Sequence, residues 1–178
     1  MRIAYRVQQF WHTLTAKPDQ DDLTLAEKLL SPALLNLFMQ MQASEQAHSI
    51  SIARQLLEDD QVDNDLIIAA LLHDVGKSRY PLRLWERTII VVGNRLFPTK
   101  ASQWGQGAPA GWRRAFVVAA QHPAWGAEMV AQAGASPMVV AIVRRHQDQI
   151  GLDAETVGGD RSLEDQLVYK LQLIDNES

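Results

Sequence analysis

The sequence predicts an all-α protein, on three observations. Apolar residues recur at helical spacing through most of the chain, as in the stripe that places Ile52 and Leu56 one and two turns after His48. Ser31-Pro32, Asp63-Asn64 and Ser136-Pro137 each offer a capping side chain where a helix opens, and both prolines fall at first-turn positions that need no backbone N–H. No stretch alternates apolar and polar residues at the period of two that a half-buried strand requires.

Taken in order, residues 3–15 form a first helix. Asp21 or Asp22 caps a short second one ending near Leu30, and Ser31-Pro32 opens a third toward Gln42. Residues 44–58 carry the His48 stripe. Asp63 or Asn64 then caps a strongly apolar helix, Leu66 to Asp74, which Gly76 terminates in the left-handed conformation. Residues 82–96 read as helical, although the run Ile89 to Val92 also suits a strand. Residues 97–111 (FPTKASQWGQGAPAG) are rich in glycine, proline and small polar residues and read as a long loop, of a length usually reserved for function or mobility. Helices follow at 112–120, 124–134, 137–149 and 162–175, the last opening on Ser162 with Asp165 three residues on.

Composition narrows the function classes. With 178 residues the chain can hide roughly 70% of its extended surface. Its 47% hydrophobic and 21% charged content excludes wholesale disorder. No apolar run approaches 18 residues, so no transmembrane helix and no membrane partner are expected, and MRIAYRVQQFWHTL lacks a signal-peptide core. The absence of cysteine removes disulfides, thiol catalysis and zinc-thiolate sites, and fits a cytoplasmic setting. A net charge of −4 speaks against stable nucleic-acid binding. The charge is uneven, however. Lys77 to Arg114 holds eight basic residues against one acid, Glu86, while the rest of the chain holds nine against twenty. Such a segment is either an anion-attracting surface or a solvated helix face plus a loop.

The ionisable residues with metal-ligand chemistry sit where burial is expected. The apolar run Leu66 to Leu72 leads directly into His73-Asp74, and His48 shares its stripe with Ile52 and Leu56. Buried charge is costly unless paired or metal-bound. Taken singly, each histidine reads as a hydrogen-bonded core residue, and the His-Asp pair as a helix end. Gly76 frees the backbone to turn, and Lys77, one short turn on, can hold a phosphate oxygen as a point charge.

Together these residues resemble the HD-domain superfamily of metal-dependent phosphohydrolases. The pattern is a helix-borne histidine (His48 in QAHSISIARQL), a His-Asp doublet 25 residues later (His73-Asp74 in AALLHDVGKS) and a distal aspartate (Asp175 in LQLIDN). HDVGK is close to the HDIGK form that names the HDIG subgroup. The resemblance covers residues 41–178, implying an HD-domain-like helical bundle, with residues 1–40 as an N-terminal helical extension. His122 (in HPAWGAEMV) and His146 (in RRHQDQI) match places where HDIG-like and HD-GYP-like branches bind a second metal; His12 has no counterpart. Arg145-His146-Gln147 stands where the cyclic-dinucleotide branch has His-His-Glu, and the Gly-Tyr-Pro element is missing, so the resemblance stops short of cyclic di-GMP hydrolysis.

The resemblance implies His48, His73, Asp74 and Asp175 as ligands of one divalent ion, with His122 and His146 holding a second and Asp74 bridging. Nitrogen and oxygen donors suit Mn, Fe, Ni, Co, Zn or Mg. The implied activity is hydrolysis of a phosphomonoester or phosphodiester, of a nucleotide, by metal-activated water. Asp74 and Lys77 are the catalytic candidates, Lys77 neutralising charge on the phosphoryl group. Lys77, Arg113, Arg114 and Arg145 are expected to bind substrate, the three arginines as a phosphate-attracting rim. The 97–111 loop is expected to act as a lid, and Trp104 and Trp112 either stack a base or pack in the core. The alternatives are a signalling or ligand-binding domain that keeps the fold with weak catalysis, and a purely structural helical module.

Overall fold

A computed structural model describes residues 16–148 and 162–177, and every regular element among them is helical. The order is α1 (Gln20–Leu29), α2 (Pro32–Met39), α3 (Ala43–Leu56), α4 (Asn64–Leu72), a 3-10 turn (Val75–Arg79), α5 (Leu84–Leu96), α6 (Pro98–Trp104), a 3-10 turn (Gly111–Arg113), α7 (Arg114–Gln132), α8 (Pro137–Arg145) and α9 (Leu163–Glu177). None of the helices is long and apolar enough to cross a membrane. The helix expected at 3–15 lies outside the described residues.

Local chemistry accounts for the helix starts. Ser31 accepts from the Leu34 N–H with Pro32 in the first turn, and Asp63 accepts from Asp65 N–H at 2.8 Å. Ser136 accepts from Val139 N–H at 3.1 Å and donates to Asp65 at 2.8 Å, so one cap also ties α8 to the first turn of α4. The cap of α1 is Asp19 rather than Asp21 or Asp22: Asp19 and Asp22 exchange backbone hydrogen bonds in a capping box.

Helix α4 is the axis of the core. Leu66, Ile67, Ala69, Ala70, Leu71 and Leu72 are all buried, as its apolar circumference requires, against α3, α8 and α9. The same core takes Ala26 and Phe38 from α1 and α2, Val130 from α7, Ile142 from α8 and Leu171 from α9. Each fully buried leucine or phenylalanine there contributes about 1.5–3 kcal/mol. Helices α1 and α2 are thus packed into the main body.

Several boundaries differ from expectation. The 97–111 segment is not one loop, because Pro98 starts helix α6 and the second 3-10 turn begins at Gly111. The Ile89–Val92 run is helical, and Gly93 one residue on lets Phe116 of α7 approach closely: a Cβ there would lie 2.5 Å from its ring. Helix α7 is continuous across Pro123, where two helices were expected. Helix α8 stops at Arg145, and α4 at Leu72. Gly76 is not left-handed; among the described residues the positive-φ positions are Gly107, Gly111 and Gly134. Gly76 is needed for space, since a Cβ would sit 2.0 Å from the His122 carbonyl oxygen.

Candidate metal centre

Helix ends deliver two of the histidines. His73 is the C-cap of α4 and His146 the C-cap of α8, positions where the last turn leaves carbonyls without intrahelical donors. Each ring uses Nδ1 to satisfy one: His73 to Ala70 O and His146 to Val143 O, both at 2.8 Å. His122 does the same in mid-helix. Pro123 has no N–H, so the Ala119 carbonyl four residues before it lacks its usual donor, and His122 Nδ1 lies 2.9 Å from that oxygen. A carbonyl only accepts, so all three rings carry a proton on Nδ1 and turn Nε2 inward as the atom available to an ion.

These nitrogens converge with carboxylates. His122 Nε2 lies 3.2 Å from His146 Nε2 and 3.1 Å from Asp74 Oδ1, and His146 Nε2 lies 3.9 Å from that oxygen. On the other side, Asp74 Oδ2 is 3.5 Å from His73 Nε2. Asp175 Oδ1 is 2.8 Å from His48 Nε2 and 3.9 Å from His73 Nε2. Two groups result, His48–His73–Asp175 and Asp74–His122–His146, each with its ligand atoms within 4.8 Å of one another. Asp74 faces both groups with different oxygens. All six ligand candidates from the sequence are therefore brought together.

The donor set fits a divalent cation. His122 Nε2 and His146 Nε2, 3.2 Å apart, can both serve one ion. Burial, reinforced by His73 and His122, holds the His146 pKa down to about 3, so its ring is neutral near neutral pH and can offer a lone pair. Nδ1–H donation to a carbonyl with Nε2 facing the ion is the usual arrangement of a histidine ligand. Asp74 is fully ionised: burial alone would raise its pKa, but Lys77, His73 and His122 together hold it well below the usual range. Asp175 is likewise lowered against burial by His48, and His48 raised against burial by Asp175.

The 3-10 turn after Asp74 brings Lys77 Nζ to 2.6 Å from Asp74 Oδ2 and 3.5 Å from Glu45 Oε2. Burial opposes its charge, but these two carboxylates outweigh it and raise the pKa, so Lys77 remains a cation. Glu45 in turn pairs with Arg87 at 2.5 Å, and Arg87 also reaches Gln42 at 2.6 Å and Ser44 at 3.2 Å. Glu45 and Arg87 were not singled out from the sequence. Glu45 had a signal, lying three residues before His48 on the same face of α3; Arg87 was only one of eight basic residues in its segment.

Both ligand groups open into a cavity of about 550 Å³. His48, Asp74, His122, His146 and Asp175 lie at its polar end, beside Lys77 and Arg87. Ile90, Phe116 and Ala120 help form an apolar wall, with Asn94 and Ser102 interrupting it. The expected arginine rim is not among the lining residues. Arg114 instead pairs with Glu86 at 2.5 Å and donates to the Pro81 carbonyl. Arg145 is held by Asp148, Glu164 and Asp165, and Arg113 is exposed on the second 3-10 turn. Coulomb attraction to nearby carboxylates claims Arg114 and Arg145 before any substrate does. Trp104 packs edge-on against Trp112 at 5.2 Å and against Phe116 at 5.0 Å, so it backs the cavity wall, and neither tryptophan is itself a lining residue.

Helix α9 is positioned for Asp175 by Gln172, one turn earlier, which donates to the His146 and Asp148 carbonyls at 3.0 and 2.7 Å. A family model described as HD domain matches residues 47–176, well over half of the chain. No curated protein and no solved structure matches it.

Proposed function

We propose that this chain, which belongs to the HD domain family, hydrolyses a phosphoester bond of a nucleotide-sized substrate. The family is in general one of metal-dependent phosphohydrolases, and the His/Asp groups can hold a metal. The carrying observation is that Asp74 offers one carboxylate oxygen to each of two converging imidazole groups at the end of an open cavity. His48, His73 and Asp175 would hold one ion, and His122 and His146 a second, with Asp74 shared. When bound, a divalent cation supplies Lewis acidity and lowers the pKa of a coordinated water.

The chain's own residues supply the rest. Lys77 and Arg87 present fixed positive charge to the cavity beside the ligand groups, where a phosphate oxygen would lie. Glu45 holds both cations in place through its two oxygens. The apolar wall with Phe116 accepts a base or comparable ring, and Asn94 and Ser102 can hydrogen-bond its polar edge. The HDVGK sequence supports an HDIG-type reading of the site.

Two measurements test this. Metal analysis of freshly purified protein should find a bound divalent ion. Incubation with Mn²⁺ and a panel of nucleotides and aryl phosphate mono- and diesters should give turnover that a chelator abolishes. A metal-loaded protein inactive on the whole panel would refute the enzymatic reading and leave a ligand-binding HD domain.

A further inference from the structure

Helix α5 divides its circumference among three surroundings. Glu86 and Gly93 are buried toward the body, and Arg87 and Asn94 line the cavity. At about 100° per residue, Trp85, Ile89, Val92 and Leu96 fall together on the remaining arc. No described residue covers that arc: Trp85 is 54% exposed, Val92 48% and Leu96 62%. The apolar surface continues through Phe97, and rings stand 6.4 Å apart from Phe97 to Trp104 and 5.2 Å from Trp104 to Trp112, itself 65% exposed. Scattered exposed apolar residues are ordinary, but a stripe joined to an aromatic cluster marks an interaction surface.

Charge decides the kind of partner. Arg83, Arg95, Lys100 and Arg113 are exposed in this same stretch and pair with no carboxylate among the described residues. Lys100 Nζ lies 5.8 Å from the Phe97 ring centre. Glu86, the one acid between Lys77 and Arg114, is buried and neutralised by Arg114. A second copy docking through this face would set positive against positive. A nucleic acid would satisfy the cations but leave Ile89, Val92 and Leu96 against phosphates and water. An anionic bilayer satisfies both sets: headgroups take the cations, tryptophan and phenylalanine sit at the interface, and the aliphatic side chains reach the acyl boundary.

We propose that α5, with the Phe97 and Trp112 rings, is a docking surface for an anionic phospholipid membrane, on which the protein lies peripherally. Val91 is both exposed and part of the cavity wall, so the cavity opens beside this surface. The expectation of no membrane partner rested on the lack of a spanning helix, which does not bear on a helix lying flat.

The test uses the full chain in a flotation assay with phosphatidylcholine vesicles, alone and supplemented with phosphatidylglycerol, at low ionic strength. Binding should be about tenfold or more stronger to the phosphatidylglycerol vesicles and should weaken with salt. The exposed double variant Val92→Glu/Leu96→Glu should abolish it, and Arg95→Glu/Lys100→Glu should weaken it about tenfold, with circular dichroism confirming that both remain helical. Failure of the unaltered protein to float with anionic vesicles would overturn the proposal. So would a concentration-dependent dimer dissolved by Val92→Glu/Leu96→Glu, which would assign the face to a second copy. The readout needs no turnover, so it stands or falls separately from the phosphohydrolase reading.

Discussion

His122 donates through Nδ1 to the Ala119 carbonyl at 2.9 Å, the oxygen that Pro123 leaves without a helical donor. A helix defect thus sets the tautomer of a candidate ligand. Pro123→Ala restores a backbone N–H that competes for the same oxygen. We expect the variant to fold, with at least equal helix stability, and to bind divalent metal about tenfold more weakly, the usual size of a loss in support behind a ligand. Competition titration against a chromophoric chelator measures this; unchanged affinity would refute the role given to Pro123.

Asp74 and Lys77 separate metal binding from chemistry. Asp74→Asn should lose both metal and turnover, because it removes the charge that both imidazole groups share. Lys77→Ala should retain metal, since Lys77 competes with any ion for Asp74 Oδ2 at 2.6 Å. Its turnover should fall on the order of 100-fold, as when one fixed donor to a developing anion is removed. An unchanged rate in Lys77→Ala would show that its charge does not act on the substrate.

Gly76 permits the approach of the turn after Asp74 to helix α7. A methyl group there would meet the His122 carbonyl at 2.0 Å and the Gly126 N–H nitrogen at 2.7 Å, both backbone atoms that cannot rotate away. Gly76→Ala should therefore destabilise by about 3 kcal/mol and weaken metal binding by separating Asp74 from His122. Urea unfolding and metal titration read the two effects; wild-type stability would show that the turn shifts freely.

Metal removal should itself destabilise the fold. An ion held by Asp74, His122 and His146, whose two Nε2 atoms lie 3.2 Å apart, would tie the turn after α4 to α7 and the end of α8. At a free metal concentration 100 times the dissociation constant, binding adds about 2.7 kcal/mol. Adding a chelator should lower the thermal midpoint, and adding back excess Mn²⁺ should restore it. A midpoint indifferent to both would argue against any bound ion.

Glu86 carries an acid-sensitive part of the stability. Burial would raise its pKa, but the Arg83 N–H and Arg114 guanidinium hold it below the ordinary glutamate value. Because the folded value is the lower one, this stabilisation is present above the unfolded pKa and is lost as pH falls through the folded pKa. Glu86→Gln should lose about 2 kcal/mol at neutral pH, with the gap to wild type closing as the solution is acidified. Urea midpoints measured at falling pH check the sign; a gap widening in acid would contradict it.

The sequence by itself determined the helical class, most helix starts and the identity of the six ligand candidates. The helices follow from short-range chemistry, because caps act within three or four residues and apolar periodicity repeats every turn; His48 and the His-Asp doublet stand out against their apolar surroundings, whereas His122, His146 and Asp175 rest on the resemblance to the HD-domain pattern. The sequence misplaced several helix boundaries. Pro123 stays inside α7 because His122 takes up the orphaned carbonyl, and Gly76 is held by crowding against α7 and not by a left-handed turn. Only the tertiary structure decided which cations face the cavity. Lys77 and Arg87 do, whereas Arg114 and Arg145 are drawn to Glu86 and to Asp148, Glu164 and Asp165. Ion pairing depends on distance in space: Asp148 is a local partner of Arg145, but Glu86, Glu164 and Asp165 lie 19 to 28 residues from the arginines they hold and leave no periodic trace in the sequence.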